Sequence, residues 1–255
     1  MCRMLAVRSA RPVKIEDLLV QAPNSLSQLS HEHRHGWGLA VYVDGEPKVA
    51  RGSRAAWQDP MFEEIAATLE GRSLLAHVRK ASVGNVQLEN SHPFRHGRWL
   101  FAHNGTVQDF DTIRPAFEAL IAPEYRALIR GTTDSERCFA LFLSWLDQLG
   151  GLASPPVDVV ACALAIVIDE VRRLSPSPDT ILNFLATDGV SLVGVHSGDR
   201  ELCFSAVTGE KVVIASQPPS EKDVWYEIAD GEVVGVSADL GVHRWRLAGQ
   251  SLVAG

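Results

Sequence analysis

Cysteine, clustered positive charge and long apolar runs are what this sequence has little of. Its 255 residues hold four cysteines, Cys2, Cys138, Cys162 and Cys203, spaced so widely that no C-x-x-C pair forms. That excludes the common zinc and dithiol motifs, and the density is far below that of a disulfide scaffold. Lysine and arginine number 24 against 31 acidic residues, a formal net charge of −7. Without a basic cluster to neutralise a phosphate backbone, nucleic acid is not an expected partner. The longest purely apolar run, Val159 to Ile168, is about half of what a bilayer-spanning helix needs, and no charged-then-apolar signal segment opens the chain. A cytoplasmic protein with no membrane partner is expected. Hydrophobic residues make up 46% of the chain, enough to bury a sizeable core, which excludes disorder and fibres.

What is present reads as strands, then helices, then strands again. MCRMLAVRS is strand-like, and GWGLAVYVDGEPKVARGS is a hairpin turning at Asp44-Gly45. Asp59-Pro60 opens a helix with Met61, Phe62, Ile65, Ala66 and Leu69 at 3-4 spacing, ending at Gly71. Two short strands follow, SLLAHVRKA and RWLFAHNG, each ending in polar residues. Helices are predicted over Thr112 to Ile121, Asp134 to Leu149 and Pro156 to Leu174, the last two separated by the breaker run Gly150 to Pro156. Six short strands complete the chain, from TILNFLATDG to VHRWRL. This order predicts a single α+β domain over residues 1–255, with two sheets and helices packed outside them. Cys138, Cys162 and Cys203 lie in apolar runs and are expected to behave as small buried hydrophobes.

Several motifs fail on context. His31-Glu32-x-x-His35 satisfies a zinc pattern that works only on a helix, and Gly36-Trp37-Gly38 follows immediately, so the segment reads as a polar loop. Gly36-x-Gly38 lacks the third glycine of a dinucleotide site, and neither a P-loop nor a G-x-S-x-G elbow is present. The remaining polar residues stand at strand ends: Cys2, His77-Val78-Arg79, Asn90-Ser91-His92-Pro93, His103-Asn104-Gly105 and Thr133-Asp134-Ser135-Glu136. Each has an ordinary explanation. Asn104-Gly105 suits a type I′ turn, Thr133 to Glu136 a helix cap, Arg79 a surface cation, and Cys2 a small residue in an edge strand.

Their joint order is less ordinary. The blocks MCR-x-L, GWG-x-x-x-Y, H-x-R-x-A, EN-x-HPF, AHNG and TDSE, between Cys2 and Glu136, resemble the glutaminase domain of class II glutamine amidotransferases. Those are N-terminal-nucleophile hydrolases, and the free-standing YafJ-like proteins are the most similar in format. The resemblance implies a four-layer α/β/β/α sandwich of two mainly antiparallel sheets, an enzyme acting on a linear amide, and no cofactor or metal. It implies that Cys2 becomes the nucleophile once Met1 is removed, with its own α-amine taking the thiol proton through water. That fits the ordinary pKa values of about 8.5 for a thiol and about 7.7 to 8.0 for an α-amine.

The resemblance assigns the oxyanion hole to the side-chain amide of Asn104 and the backbone N–H of Gly105. It gives the substrate α-carboxylate to Arg79 and the α-ammonium to Asp134. Ser82 falls where the family places a small hydroxyl residue against the substrate, and is equally an ordinary turn serine. Trp37 resembles the tryptophan lining the nucleophile's pocket, or fills core space. His103 is a candidate substrate contact, although a satisfied structural role suits both it and His92 better than catalysis. His35, where relatives carry Asp or Asn, and Val83, where the synthases carry His, are departures that bear on pocket shape.

The implied reaction is hydrolysis of the γ-amide of glutamine through a Cys2 thioester, giving glutamate and ammonia. The ammonia goes to a separate synthase subunit or is simply released, since the chain's length is expected to be nearly all glutaminase fold. The alternatives are an EgtC-like γ-glutamyl conjugate hydrolase, and a non-catalytic ammonia-channel or regulatory subunit.

Overall fold

The computed structural model describes residues 2–80 and 86–254. Its strands are β1 (Arg3–Lys14), β2 (Trp37–Val43), β3 (Glu46–Gly52), β4 (Glu70–Val78), β5 (Phe94–His96), β6 (Trp99–Thr106) and β7 (Ile181–Thr187). They continue with β8 (Leu192–His196), β9 (Cys203–Val207), β10 (Lys211–Ala215), β11 (Tyr226–Glu227), β12 (Glu232–Val236), β13 (Val242–Ala248) and β14 (Ser251–Ala254). The helices are α1 (Leu26–Leu29), α2 (Pro60–Thr68), α3 (Phe110–Ala119), α4 (Pro123–Arg126), α5 (Asp134–Gly150) and α6 (Val157–Leu174).

The strands form two seven-stranded sheets, ordered β11-β9-β10-β1-β4-β2-β3 and β14-β13-β12-β8-β7-β6-β5. The pairings are antiparallel. Three buried clusters fill the spaces between four layers. Leu5, Val7, Leu39, Leu74 and Phe62 pack the first sheet against α1 and α2. Met4, Ala6, Leu75, Leu100, Ala102 and Ile214 lie between the sheets. Phe101, Phe142, Leu164, Phe184 and Val195 join the second sheet to α5 and α6. The expected α/β/β/α sandwich is the one observed.

Because successive strand side chains point to opposite faces, parity decides which layer each one enters. In β1, Met4 and Ala6 enter the inter-sheet core, while Leu5 and Val7 enter the helix-side core. Strands covered on both faces have no polar side to alternate with, which is why they read as continuous apolar runs. Local signals placed the boundaries well elsewhere. Asp44 and Gly45 both have positive φ, 52° and 80°, as the hairpin turn requires. Asp59 caps α2 by accepting from Met61 N–H at 3.1 Å, with Pro60 in the first turn.

Two expectations need correction. Asn104-Gly105 is no turn: both residues lie inside β6, opposite Asn183 and Leu182 of β7. Among the three cysteines expected to be buried, Cys138 and Cys203 are, but Cys162 on α6 is partly exposed.

Candidate active site

Parity brings the candidate residues together. On β4, His77 and then Arg79 just beyond it alternate with the helix-facing Leu74, Ala76 and Val78. They share the face of Leu75, which lies in the inter-sheet core. Arg3 pairs with Val78, so Cys2 stands beside Arg79 at the same sheet end. On β6, Asn104 shares parity with the inter-sheet residues Leu100 and Ala102. Cys2, Arg79 and Asn104 therefore meet at one end of the gap between the sheets.

Cys2 is half-buried, and its Sγ accepts from the Lys80 backbone N–H at 3.3 Å. Burial pushes its thiol above the ordinary range, against the opposing pull of the Lys80 N–H and the Arg79 guanidinium. The resting group is therefore a thiol.

Arg79 is buried, 4% exposed, and its backbone is fixed by Arg79 N–H to Gly36 O at 2.8 Å and His35 N–H to Arg79 O at 3.0 Å. Burial lowers its pKa, while Cys2 and Asp134 act in the opposite direction. Those three groups thus feel one another's charge.

Asp134 opens α5, where the helix N-terminus favours a negative charge. Its Oδ2 accepts from Val107 N–H at 2.7 Å and its Oδ1 from Ser135 N–H at 2.7 Å. The TDSE run serves as a bracket around it. Thr133 caps the helix by accepting from Glu136 N–H, and Glu136 accepts from Arg130 and Gly131 N–H at 2.8 and 2.7 Å. Asn90 ties this bracket to the EN-x-HPF block, accepting from Thr132 N–H at 2.9 Å and donating to Thr132 Oγ1 at 3.2 Å.

Asn104 is 1% exposed. One of its two amide hydrogens goes to Ser216 Oγ at 3.2 Å, which leaves the other to donate, and its Oδ1 has no partner among the described residues. Ser216 was not anticipated. Its hydroxyl also accepts from Met4 N–H at 3.0 Å, so it links β1 to Asn104 across the two sheets. A signal existed: Ser216 continues the Val212 and Ile214 alternation into the inter-sheet space as a polar residue closing an apolar strand. Gly105 is required by packing alone, because a Cβ there would lie 1.9 Å from Ile181 O.

The other candidates fall elsewhere. Trp37 is fully buried on the helix-facing side of β2, edge-on to Phe62 and donating from Nε1 to Asp59 Oδ2 at 2.8 Å. Gly38 is the member of that block facing the other sheet, where a Cβ would meet His92 O at 1.8 Å. His103 is 1% exposed on the α5 side, its Nε2 donating to Ile181 O and its Nδ1 facing Ser135 Oγ, both at 2.9 Å. With both nitrogens engaged inside the protein, it positions the residue next to Asp134. Ser82 and Val83 lie outside the described residues. His31 to His35 run through turns and coil; His31 stacks on Trp57 with ring centroids 4.4 Å apart.

His77, His92 and His103 form a buried row. His77 Nε2 lies 3.1 Å from His92 Nδ1, which accepts from His103 N–H at 3.4 Å. Burial drives His77 down to about 3, His92 well below its usual range, and His103 down as well. Such groups bind protons more readily in the unfolded chain, so their contribution to stability is full above about pH 6.5 and is lost as pH falls toward the folded value. For His77 this amounts to about 2 kcal/mol by about pH 5. Melting temperature should fall over that interval, and His77→Gln should show a shallower fall in thermal scans at stepped pH.

A cavity of about 540 Å³ adjoins Asn104 and Ser216 and also includes Arg3 in its wall. Among the described residues no helix is long and apolar enough to cross a membrane.

A sequence model of the family described as "Glutamine amidotransferases class-II" matches residues 1–208. The chain belongs to this family. Among its relatives is a probable glutamine amidotransferase, DUG3, of Saccharomyces cerevisiae, 30% identical over 223 residues, covering 76% of this chain and 62% of that protein. The chain thus spans less than two thirds of the yeast relative's length. A gamma-glutamyl-hercynylcysteine sulfoxide hydrolase of Mycolicibacterium smegmatis is 31% identical over 248 residues, covering 92% of this chain and 96% of that one. In structure, a glutamine aminotransferase class-II domain protein from Silicibacter pomeroyi superposes with a TM-score of 0.73 at 25% identity, covering 97% of this chain and 99% of its own. The class II resemblance read from the sequence is therefore correct.

Proposed function

We propose that this chain hydrolyses the γ-amide bond of glutamine or of a γ-glutamyl amide through a thioester on Cys2, after removal of Met1, and that residues 1–255 act as one such unit. The observation that carries the reading is the convergence of Cys2, Arg79, Asp134 and Asn104 at one end of the inter-sheet gap. The names of the two relatives, one a γ-glutamyl hydrolase and one a glutamine amidotransferase, both fall within it.

The chemistry follows from the groups present. With Met1 gone, the Cys2 α-amine is the nearest base for a thiol whose pKa is raised by burial, and no separate histidine base is needed. Burial lowers the pKa of His77, His92 and His103, which face one another, backbone or Ser135 Oγ. Thiolate attack moves negative charge onto the carbonyl oxygen. The spare Asn104 N–H and the Gly105 N–H are the donors assigned to it. Arg79 takes the α-carboxylate in fork geometry, and Asp134 retains lone pairs for the α-ammonium beyond the N–H groups it already accepts. Collapse expels ammonia or an amine, and water releases glutamate. Ammonia is then set free or passed to a separate synthase polypeptide.

The test is glutamate release from glutamine and from γ-glutamyl amides by the purified protein. Arg79→Lys keeps the charge but loses the fork, so KM for glutamine should rise about tenfold or more while kcat changes less. An unchanged KM would remove Arg79 from the substrate pocket.

A further inference from the structure

A second cavity, of about 190 Å³, has none of Cys2, Arg79, Asn104 or Asp134 in its wall. Phe139, Ala140 and Leu143 line it from α5, where their spacing puts them on one helix face, and Phe94 of β5 and Tyr125 of α4 complete a buried floor. An apolar cavity of about 150 Å³ is already large enough to hold benzene. Rings dominate the lining: Phe94 and Phe139 stack with centroids 6.2 Å apart, and His96 meets Tyr125 edge-on at 5.8 Å. The Tyr125 hydroxyl is bonded to Asp147 Oδ2 at 2.9 Å.

The same wall carries Arg51, Arg95 and Arg130 against Glu89 and Glu136. Several of these charges are already engaged. Glu136 accepts from the Arg130 and Gly131 N–H groups and lies 3.7 Å from Arg137, while Arg95 lies 3.7 Å from Glu46. Glu89 and the Arg130 side chain are at the exposed mouth, where water screens them.

Arg51 differs. It stands half-buried on β3, its Nη2 donates to Pro93 O, and its Nε is buried with no partner among the described residues. Among those residues no carboxylate lies within 4.0 Å of its guanidinium, so Glu136 and Glu89 act on it only from further off. A guanidinium has five N–H donors. One that is short of acceptors beside an apolar cavity suits a carboxylate carried on an apolar body.

We propose that this cavity is a second ligand site, for a small aromatic monocarboxylic acid, with the ring among Phe94, Tyr125 and Phe139 and the carboxylate on Arg51. The aromatic lining selects a ring, through stacked and edge-on contacts, over an alkyl chain. Glu89 and Glu136 line the same space and repel a second negative charge. The site is independent of the reaction assigned to Cys2.

The experiment titrates the full chain with phenylacetate, phenylacetamide and acetate, following binding by protein NMR. In the wild type, phenylacetate should bind with a Kd of about 1 mM or tighter. The amide lacks the charge and acetate lacks the ring, so each should bind about tenfold or more weakly. In Arg51→Gln the acid-to-amide ratio should approach one, and both ligands meet the same preparation, so a misfolded fraction cancels. Ala140→Leu fills the floor without touching the charge and should weaken acid and amide alike by about tenfold or more. No saturable binding of phenylacetate to the wild type, or an acid-to-amide ratio near one there, overturns the proposal. So does binding that survives Ala140→Leu unchanged, or binding lost in Arg79→Lys and kept in Arg51→Gln, which would seat the acid among the residues around Cys2.

Discussion

Cys2→Ala is expected to lower amide hydrolysis by at least about 10⁴-fold, the scale of losing a covalent nucleophile. The substitution leaves the α-amine, Arg79, Asn104 and Gly105 in place, but removes the atom proposed to form the thioester. The structural cost should be small. The thiol's described hydrogen bonds run only to the Lys80 backbone, at 3.3 and 3.7 Å, and the residue precedes the first paired position of β1. Thermal unfolding within a few degrees of the wild type, together with lost turnover, is the expected combination. Cys2→Ser keeps a hydroxyl that the same amine can deprotonate, so it should fall between the two. Residual activity in Cys2→Ala near the wild-type level would mean that another group attacks the carbonyl.

Asn104→Ala is expected to reduce kcat by about 10² to 10³ with little change in KM. The side-chain N–H contributes most when negative charge has developed on the oxygen, and much less when a neutral carbonyl is bound. Asn104 also bonds Ser216 Oγ at 3.2 Å, so a structural contribution has to be separated. Ser216→Ala does this: it removes the Asn104 contact and the Met4 contact while leaving the amide in place, and should cost far less in kcat. Equal losses in the two variants would reassign Asn104 to a structural role, and a loss confined to KM would place it in ground-state binding.

Much of the candidate site was legible because its residues come in short blocks. Cys2, Arg79, Asn104 and Asp134 could each be named from such a block, and the fold brings all four together. What the blocks do not encode is which face of a strand a residue occupies. Trp37 shares its block with Gly36 and Gly38, yet parity sends its ring into the helix-side core and turns Gly38 toward the other sheet. The same rule separates His103 from Asn104, sending one to α5 and the other to Ser216.

Asn104-Gly105 carries the local chemistry of a turn, but the glycine is needed instead where β6 passes close to Ile181 of β7. The layer order was also legible, since strands, helices and strands follow one another along the chain. Pairing was not. β1 lies between β4 and β10, and β10 lies at residues 211–215, a partner no local pattern announces. Ser216 was missed for that reason: its importance comes from which strand it adjoins.

The central claim is that Cys2, exposed as the first residue, is the nucleophile of a γ-glutamyl amide hydrolase. The intact mass of the purified protein, before and after reaction with 6-diazo-5-oxo-norleucine, followed by peptide mapping, tests it most directly. The account predicts a starting mass lacking Met1, addition of one equivalent of the reagent less dinitrogen, and the adduct on Cys2. Retention of Met1 in a protein that turns over substrate, or an adduct on any other residue, would contradict it.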